Sequence, residues 1–180
     1  MSWIEVETKL RVQNHRDVRK RIKEIAKFVR IENKIDDYYS LEKGKYPKKT
    51  LRIRYKGKKI EVNFKKSLSY GKGVHAKKEV EFKVSDLSNF FDFLENFGFG
   101  KWIRKEKRTE LYKTKDRINI ELNYVKKLGW FIEIEILCKK KDIEKSRRRI
   151  EEIRKALDIP ESDIEKKGYT RELWNLSKKK

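Results

Sequence analysis

The residues able to do chemistry in this chain come in pairs two positions apart. Glu5/Glu7, Glu79/Glu81 and Glu133/Glu135 each lie in a run where charged and apolar residues alternate. Arg52/Arg54 repeats the spacing with the opposite sign, Lys9 continues the Glu5/Glu7 run, and Lys65 ends a further run of the same kind. In a β-strand residues i and i+2 share a face, so the members of each pair point the same way. Two glutamates facing one cavity repel unless a cation lies between them or one takes a proton. Arginine forks onto two oxyanion oxygens at once, and lysine acts as a point charge. A half-exposed antiparallel strand also shows one polar face, but solvated faces of separate strands have no reason to repeat an acidic pair.

The alternation predicts strands at 4–10, 35–39, 51–55, 60–65, 77–84, 102–112, 117–125 and 130–137. Gly57 turns the hairpin between the third and fourth, and 67–78, with Gly71 and Gly73, reads as a mobile loop. Amphipathic helices over about 16–28, 86–97 and 142–157 offer apolar faces to cover the sheet. The aromatic stripe Phe90, Phe91, Leu94 and Phe97 reads as core beneath that sheet.

One domain, 1–180, with a core at about 3–176 and a basic tail at 177–180, suits the length. Apolar residues make up 37% against 44% charged, which calls for a thin or two-layered core. The formal net charge of +21 raises nucleic acid as a partner; a surface rich in Lys and Glu is equally a hyperthermophile trait. Summed over the polar strand faces the two signs balance, so the surplus is expected on helices, loops and tail, an arrangement that suits bare nucleic acid poorly. Cys138 is alone, which excludes a disulfide framework or zinc cluster. No apolar run approaches ~20 residues and no signal peptide is evident, so a cytoplasmic protein without membrane spans is expected.

Three strings in order, Glu5-Val6-Glu7-Thr8-Lys9, Leu51-Arg52-Ile53-Arg54 and Leu128-Gly129-Trp130-Phe131-Ile132-Glu133-Ile134-Glu135, resemble the CYTH superfamily of triphosphate tunnel metalloenzymes. The match runs from residue 4 to about 174. It implies an α+β fold, an eight-stranded antiparallel β-barrel with a charged lumen flanked by helices. It also implies a divalent-metal-dependent enzyme (Mg²⁺ or Mn²⁺) acting on a small-molecule triphosphate. The ending Gly168-Tyr169-Thr170-Arg171-Glu172-Leu173 resembles class IV adenylyl cyclases, which convert ATP to cyclic AMP and pyrophosphate. Relatives also hydrolyse thiamine triphosphate, inorganic triphosphate or nucleotides, and some form homodimers. A non-catalytic module binding polyphosphate or RNA is the rival from another class.

On that resemblance Glu5, Glu7, Glu133 and Glu135 are the expected metal ligands, with Glu79, Glu81, Glu121 and Asn123 secondary. Asn123 stands where relatives carry Asp and cannot take a proton. Lys9, Arg52, Arg54, Lys65 and Arg108 are expected on the phosphate chain, with Arg104 and Lys77 as secondary candidates. Strand parity turns Arg104 and Arg108 inward and Lys105 and Lys107 outward, a choice that one bulge would reverse. Tyr38 and Tyr39 resemble an aromatic segment of the family and are expected as a substrate platform.

Overall fold

The computed structural model describes residues 3–178 except 58, 72 and 85. Eight antiparallel strands close into one barrel: β1 (Ile4–Val12), β2 (Ala26–Ser40), β3 (Leu51–Lys56), β4 (Lys59–Gly71), β5 (Val74–Lys83), β6 (Gly100–Thr114), β7 (Asn119–Val125) and β8 (Gly129–Cys138). Around the barrel they run β1-β5-β4-β3-β2-β6-β7-β8, and β8 pairs back with β1 from Ile4↔Cys138 to Val12↔Trp130. Four helices flank it: α1 (His15–Ile25), α2 (Leu87–Asn96), α3 (Ile143–Ala156) and α4 (Tyr169–Ser177).

This barrel keeps its core outside the wall. Ile4, Val6 and Leu10 of β1 point away from the axis, with Ile132 and Ile134 of β8, against Ile22 of α1 and Ile150 and Ile153 of α3. A second cluster puts Ile53 and Val62 of β3 and β4 under Leu94, Phe90 and Phe91 of α2. The alternate residues, the charged ones, are thereby turned into the lumen. Capping fixes two of the covering helices: the Asn14 side chain accepts from the amides of Arg16 and Asp17, and that of Asp86 from Ser88 and Asn89.

Two segments differ from the sequence expectation, and a third forms an element that the expectation did not include. The first helix stops at Ile25, three residues before the expected Phe28, because β2 begins at Ala26 and pairs with β6 along its whole length, Ala26↔Thr114 to Ser40↔Gly100. A fifteen-residue partner strand makes the extended form the better option for residues whose local pattern reads equally as helix. Residues 67–78 are not a loop: β4 and β5 stay paired from Ser67↔Lys77 to Gly71↔Val74, and Gly73, at φ 76°, lets the chain reverse. The segment after Gly168 is a nine-residue helix, α4.

Candidate active site

The lumen is a cavity of about 450 Å³ lined from all eight strands and from the start of α4. Among the described residues eleven lysines and arginines line it against eight glutamates, so it carries a positive surplus rather than the expected balance. Two features make the difference. The first half of β2, which the sequence did not show as a strand, contributes Arg30 and Lys34 along with Glu32. On β6 the inward residues are Lys105 and Lys107, buried and paired in the ladder with Asp36 and Lys34.

Arg104 and Arg108 are therefore outside the tunnel. Arg104 grips Asp37 at 2.7 Å through two nitrogens, and Arg108 bonds Glu110 at 3.2 Å. The register shift between Tyr38/Tyr39 and their β6 partners Ile103/Lys101 inserts an extra residue, Trp102, and reverses the parity. Tyr39 also points outward, packing on Phe91 of α2, whereas Tyr38 lines the lumen.

The cations are held in place by carboxylates. Asp36, with no exposed surface, accepts from Arg54 at 2.7 and 3.0 Å and pairs with Lys105 at 2.8 Å and Arg52 at 3.9 Å. Burial opposes its ionisation, but Lys105 and Arg54 hold it well below the usual carboxylate range. Arg52 donates to Glu79 at 2.7 Å, and Lys65 to Glu5 at 2.5 and 2.7 Å. Lys105 also donates to the Tyr38 hydroxyl at 3.1 Å; burial raises that phenol, but Lys105, Arg52 and Arg54 bring it below its ordinary value.

The glutamates divide into two kinds. Glu7, bonded to Lys77 at 2.6 Å and Lys9 at 2.8 Å, is held well below its normal range despite burial. Glu121 lies between Lys34 and Lys107, both at 2.8 Å, and is likewise depressed against its burial. Glu133 is brought down to about 2 by Lys107 and Lys9, again against burial. Asn123 donates to Glu133 at 3.1 Å while its oxygen accepts from Thr109 at 2.6 Å, so it orients a carboxylate rather than presenting a free oxygen. Glu5 and Glu135 behave oppositely. Burial first, then Glu7 and Glu135, push Glu5 well above its usual range, helped by a hydrogen bond with Glu79. Burial and the neighbouring Glu121, Glu7 and Glu133 raise Glu135 even with Lys65 opposing.

Carboxylates that cluster so tightly that they favour a proton are suited to a cation. Among the described residues no three His, Cys, Asp or Glu side chains form a ready-made cage. Mg²⁺ and Mn²⁺ do not need one, since one or two carboxylates, waters and phosphate oxygens complete their shells. The donor set thus fits a divalent ion brought in with a phosphate chain. Glu81 lines the same cavity.

Sequence reading missed Lys34, Asp36, Lys56 and Tyr46, all brought to or beneath the lumen. It also gave no site role to Tyr169, whose ring lies 5.7 Å from the Lys9 ammonium and 5.5 Å from that of Lys105. The first turn of α4 closes over the lumen here, fastened by Arg11 to Glu165 at 2.8 Å and Glu172 at 3.1 Å. Asp36 was legible only as half of an Asp-Asp step, and Lys34 fell in the stretch 29–34 between the expected helix and strand, to which the sequence assigned no element.

An antiparallel barrel with its core outside and a tunnel lined by lysines, arginines and glutamates defines a protein class built to hold a small polyanion. The CYTH domain family model matches residues 3–169, and the chain belongs to that family, whose members are adenylyl cyclase-like or triphosphatase enzymes. The PH1012 protein of Pyrococcus horikoshii is 30% identical with a TM-score of 0.78, covering 92% of this chain and 96% of that one. An adenylate cyclase candidate of Vibrio parahaemolyticus shares the fold at 19% identity and TM-score 0.80, with 97% and 99% covered. So does a Hippeastrum cyclase candidate with a dominant triphosphatase activity, at 16% identity and TM-score 0.67, with 93% and 91% covered. No curated protein matches. Among the described residues no helix is long and apolar enough to cross a membrane.

Proposed function

We propose that the chain is a divalent-metal-dependent enzyme acting on a triphosphate, with ATP cyclisation to cyclic AMP and pyrophosphate as its leading reaction. The observation that carries this reading is one cavity lined by Arg52, Arg54, Lys65, Lys105 and Lys107 together with Glu5 and Glu135, whose carboxyls burial and like charge raise. A triphosphate carries about four negative charges, and transfer at phosphorus asks chiefly for positioning and charge stabilisation. Lysines paired with Glu7, Glu121 and Glu133 are pre-set near the axis, so phosphate oxygens exchange for carboxylates without large rearrangement. Glu5 and Glu135, with Glu7 and Glu133 beside them, would hold the metal, which supplies charge neutralisation at the reacting phosphate. Arg54 and Lys105 are oriented by Asp36 and neutralise charge on the departing pyrophosphate.

Hydrolysis of a triphosphate is the second reading, and the Tyr38–Lys105 contact favours it. The buried Tyr38 hydroxyl, fixed by the donated hydrogen bond from Lys105, can orient a water against the phosphate chain. Incubation with ATP, inorganic triphosphate or thiamine triphosphate and Mg²⁺ or Mn²⁺, followed by chromatography, separates the two. Cyclic AMP with pyrophosphate marks attack at the α-phosphorus, and ADP or orthophosphate marks attack at γ. If all three compounds survive with either metal, the enzymatic reading fails and a non-catalytic polyphosphate-binding module replaces it.

The grip on the chain is testable separately. Arg52→Ala removes a charged donor from the lumen, and such hydrogen bonds are worth about 1.5–3 kcal/mol. Triphosphate binding should weaken by roughly 10- to 100-fold with monophosphate binding little changed. Equal weakening in calorimetry would point to a diffuse basic surface.

A further inference from the structure

Asn63 of β4 is 1% exposed and lines the tunnel, yet neither its amide nitrogen nor its oxygen has a hydrogen-bond partner. Among the described residues it is the one side chain with both a buried donor and a buried acceptor left unbonded. Beside it in the ladder stand Arg52 on β3 and Glu81 on β5, and the Nε of Arg52 is also buried and unbonded. An orphaned amide in a barrel wall is costly, because it gave up water and received nothing in return. A well-packed apolar residue would serve the wall better if the wall were all that mattered.

The chemistry of the amide limits what can complete it. Phosphate oxygens only accept, so an inorganic triphosphate could satisfy the nitrogen of Asn63 but would face its oxygen with like partial charge. A ligand for both atoms must carry a donor and an acceptor side by side. Ribose hydroxyls do, and so does the adenine edge that asparagine pairs with bidentately. Thiamine triphosphate also offers such an edge, but its permanent cation is ill placed in a lumen with a positive surplus and an unbonded arginine nitrogen.

We propose that Asn63 is a specificity residue that hydrogen-bonds the nucleoside of a nucleoside triphosphate, so that the tunnel selects a nucleotide over an inorganic triphosphate. The inference rests on the triphosphate reading above and adds which triphosphate. Its placement next to Arg52 sets the nucleoside contact one strand spacing, about 5 Å, from the phosphate grip. A site built this way discriminates strongly, since a ligand lacking the group leaves buried polar atoms unpaired.

The test is calorimetry with Mg²⁺ on ATP, thiamine triphosphate and inorganic triphosphate analogues whose bridging oxygens are methylenes, so that no turnover intervenes. Wild type should prefer the ATP analogue, and Asn63→Ala should cut the ATP-to-inorganic affinity ratio by about tenfold, the worth of one hydrogen bond. Asn63→Leu, close in size and without polar atoms, carries the same expectation should the alanine variant pack poorly. Asn63→Leu should not lower the melting temperature, as it removes an unsatisfied group without leaving a cavity. If the ATP and inorganic triphosphate analogues weaken equally, or neither of these two changes, Asn63 serves the wall or a buried water and the inference falls while the triphosphate reading stands. A preference for the thiamine analogue that vanishes with Asn63→Ala also overturns it. If no analogue binds wild type, the triphosphate reading itself is lost and the inference with it.

Discussion

Glu135→Gln is expected to abolish metal-supported turnover, by at least about 100-fold, while leaving the barrel as stable as before or more so. Glu135 is half-buried in the lumen, and among the described residues it forms no ion pair. Its carboxyl is raised by burial and by Glu121, Glu7 and Glu133. A carboxyl whose folded pKa lies above the unfolded value, about 4.3 for Glu, gives its full contribution to stability below that value. The contribution is lost as pH rises through the folded pKa, so at neutral pH the ionised group works against the fold. Glutamine keeps the shape and removes the charge, which relieves the repulsion and takes away a metal-seeking oxygen. Glu7→Gln makes the informative contrast. Glu7 is buried and bonded to Lys9 and Lys77, so its loss strands two ammonium groups and lowers stability as well as activity. Near-normal turnover of Glu135→Gln at limiting Mg²⁺ or Mn²⁺, or a clear drop in its Tm, would remove Glu135 from the metal-holding set.

How much of this could be read from sequence follows from period and parity. β1, β3, β7 and β8 alternate strictly, so Glu5, Glu7, Lys9, Arg52, Arg54, Glu121, Glu133 and Glu135 were legible as one face each, and the structure brings all of them to one lumen. Alternation made the strands legible and amphipathic periods made the covering helices legible, while closure into a barrel came from the resemblance to the family. Only the second half of β2 was legible, as the strand at 35–39; residues 26–28 read as the end of a helix and 29–34 lack a clear alternation, and the β6 ladder decides both. On β6 the pattern was strict but the phase was wrong. Counting from Trp102 puts Arg104 inside, and the bulge there moves Lys105 and Lys107 in. A bulge is a pairing event between strands, so one strand's sequence does not show it. Asp36 and Asn63 escaped for a different reason: their weight comes from depth, full burial with or without partners, and depth follows from closure of the whole ring.

Asp36 is where that closure should be most costly to disturb. Arg54, Arg52 and Lys105 all converge on its carboxylate in a wall from which water is excluded. Removing one member of a buried ion pair costs about 3–5 kcal/mol, because the remaining charge is left desolvated and uncompensated. Asp36→Ala should lose stability on that scale, a large part of the roughly 5–15 kcal/mol typical of a domain, as measured by chemical denaturation at pH 7. The adjacent Asp37 is the control. It is buried too, but its partners Lys101 and Arg104 are nearly half exposed, at 44% and 48% of their side chains. Water can resolvate them, so Asp37→Ala should cost about 1 kcal/mol or less. The pH dependence gives a second reading of the same group. Asp36 is held below its unfolded value, so its contribution is present above about pH 4 and is lost as pH falls toward the folded pKa. Wild type should therefore weaken on acidification more steeply than Asp36→Ala, which has already lost that term. Triphosphate affinity should fall in the variant as well, since Arg54 and Lys105 lose the anchor that aims them. Equal stability losses for the Asp36 and Asp37 variants, or acid limbs of equal slope in wild type and Asp36→Ala, would show that the arginines are positioned by the strands alone and not by the carboxylate beneath them.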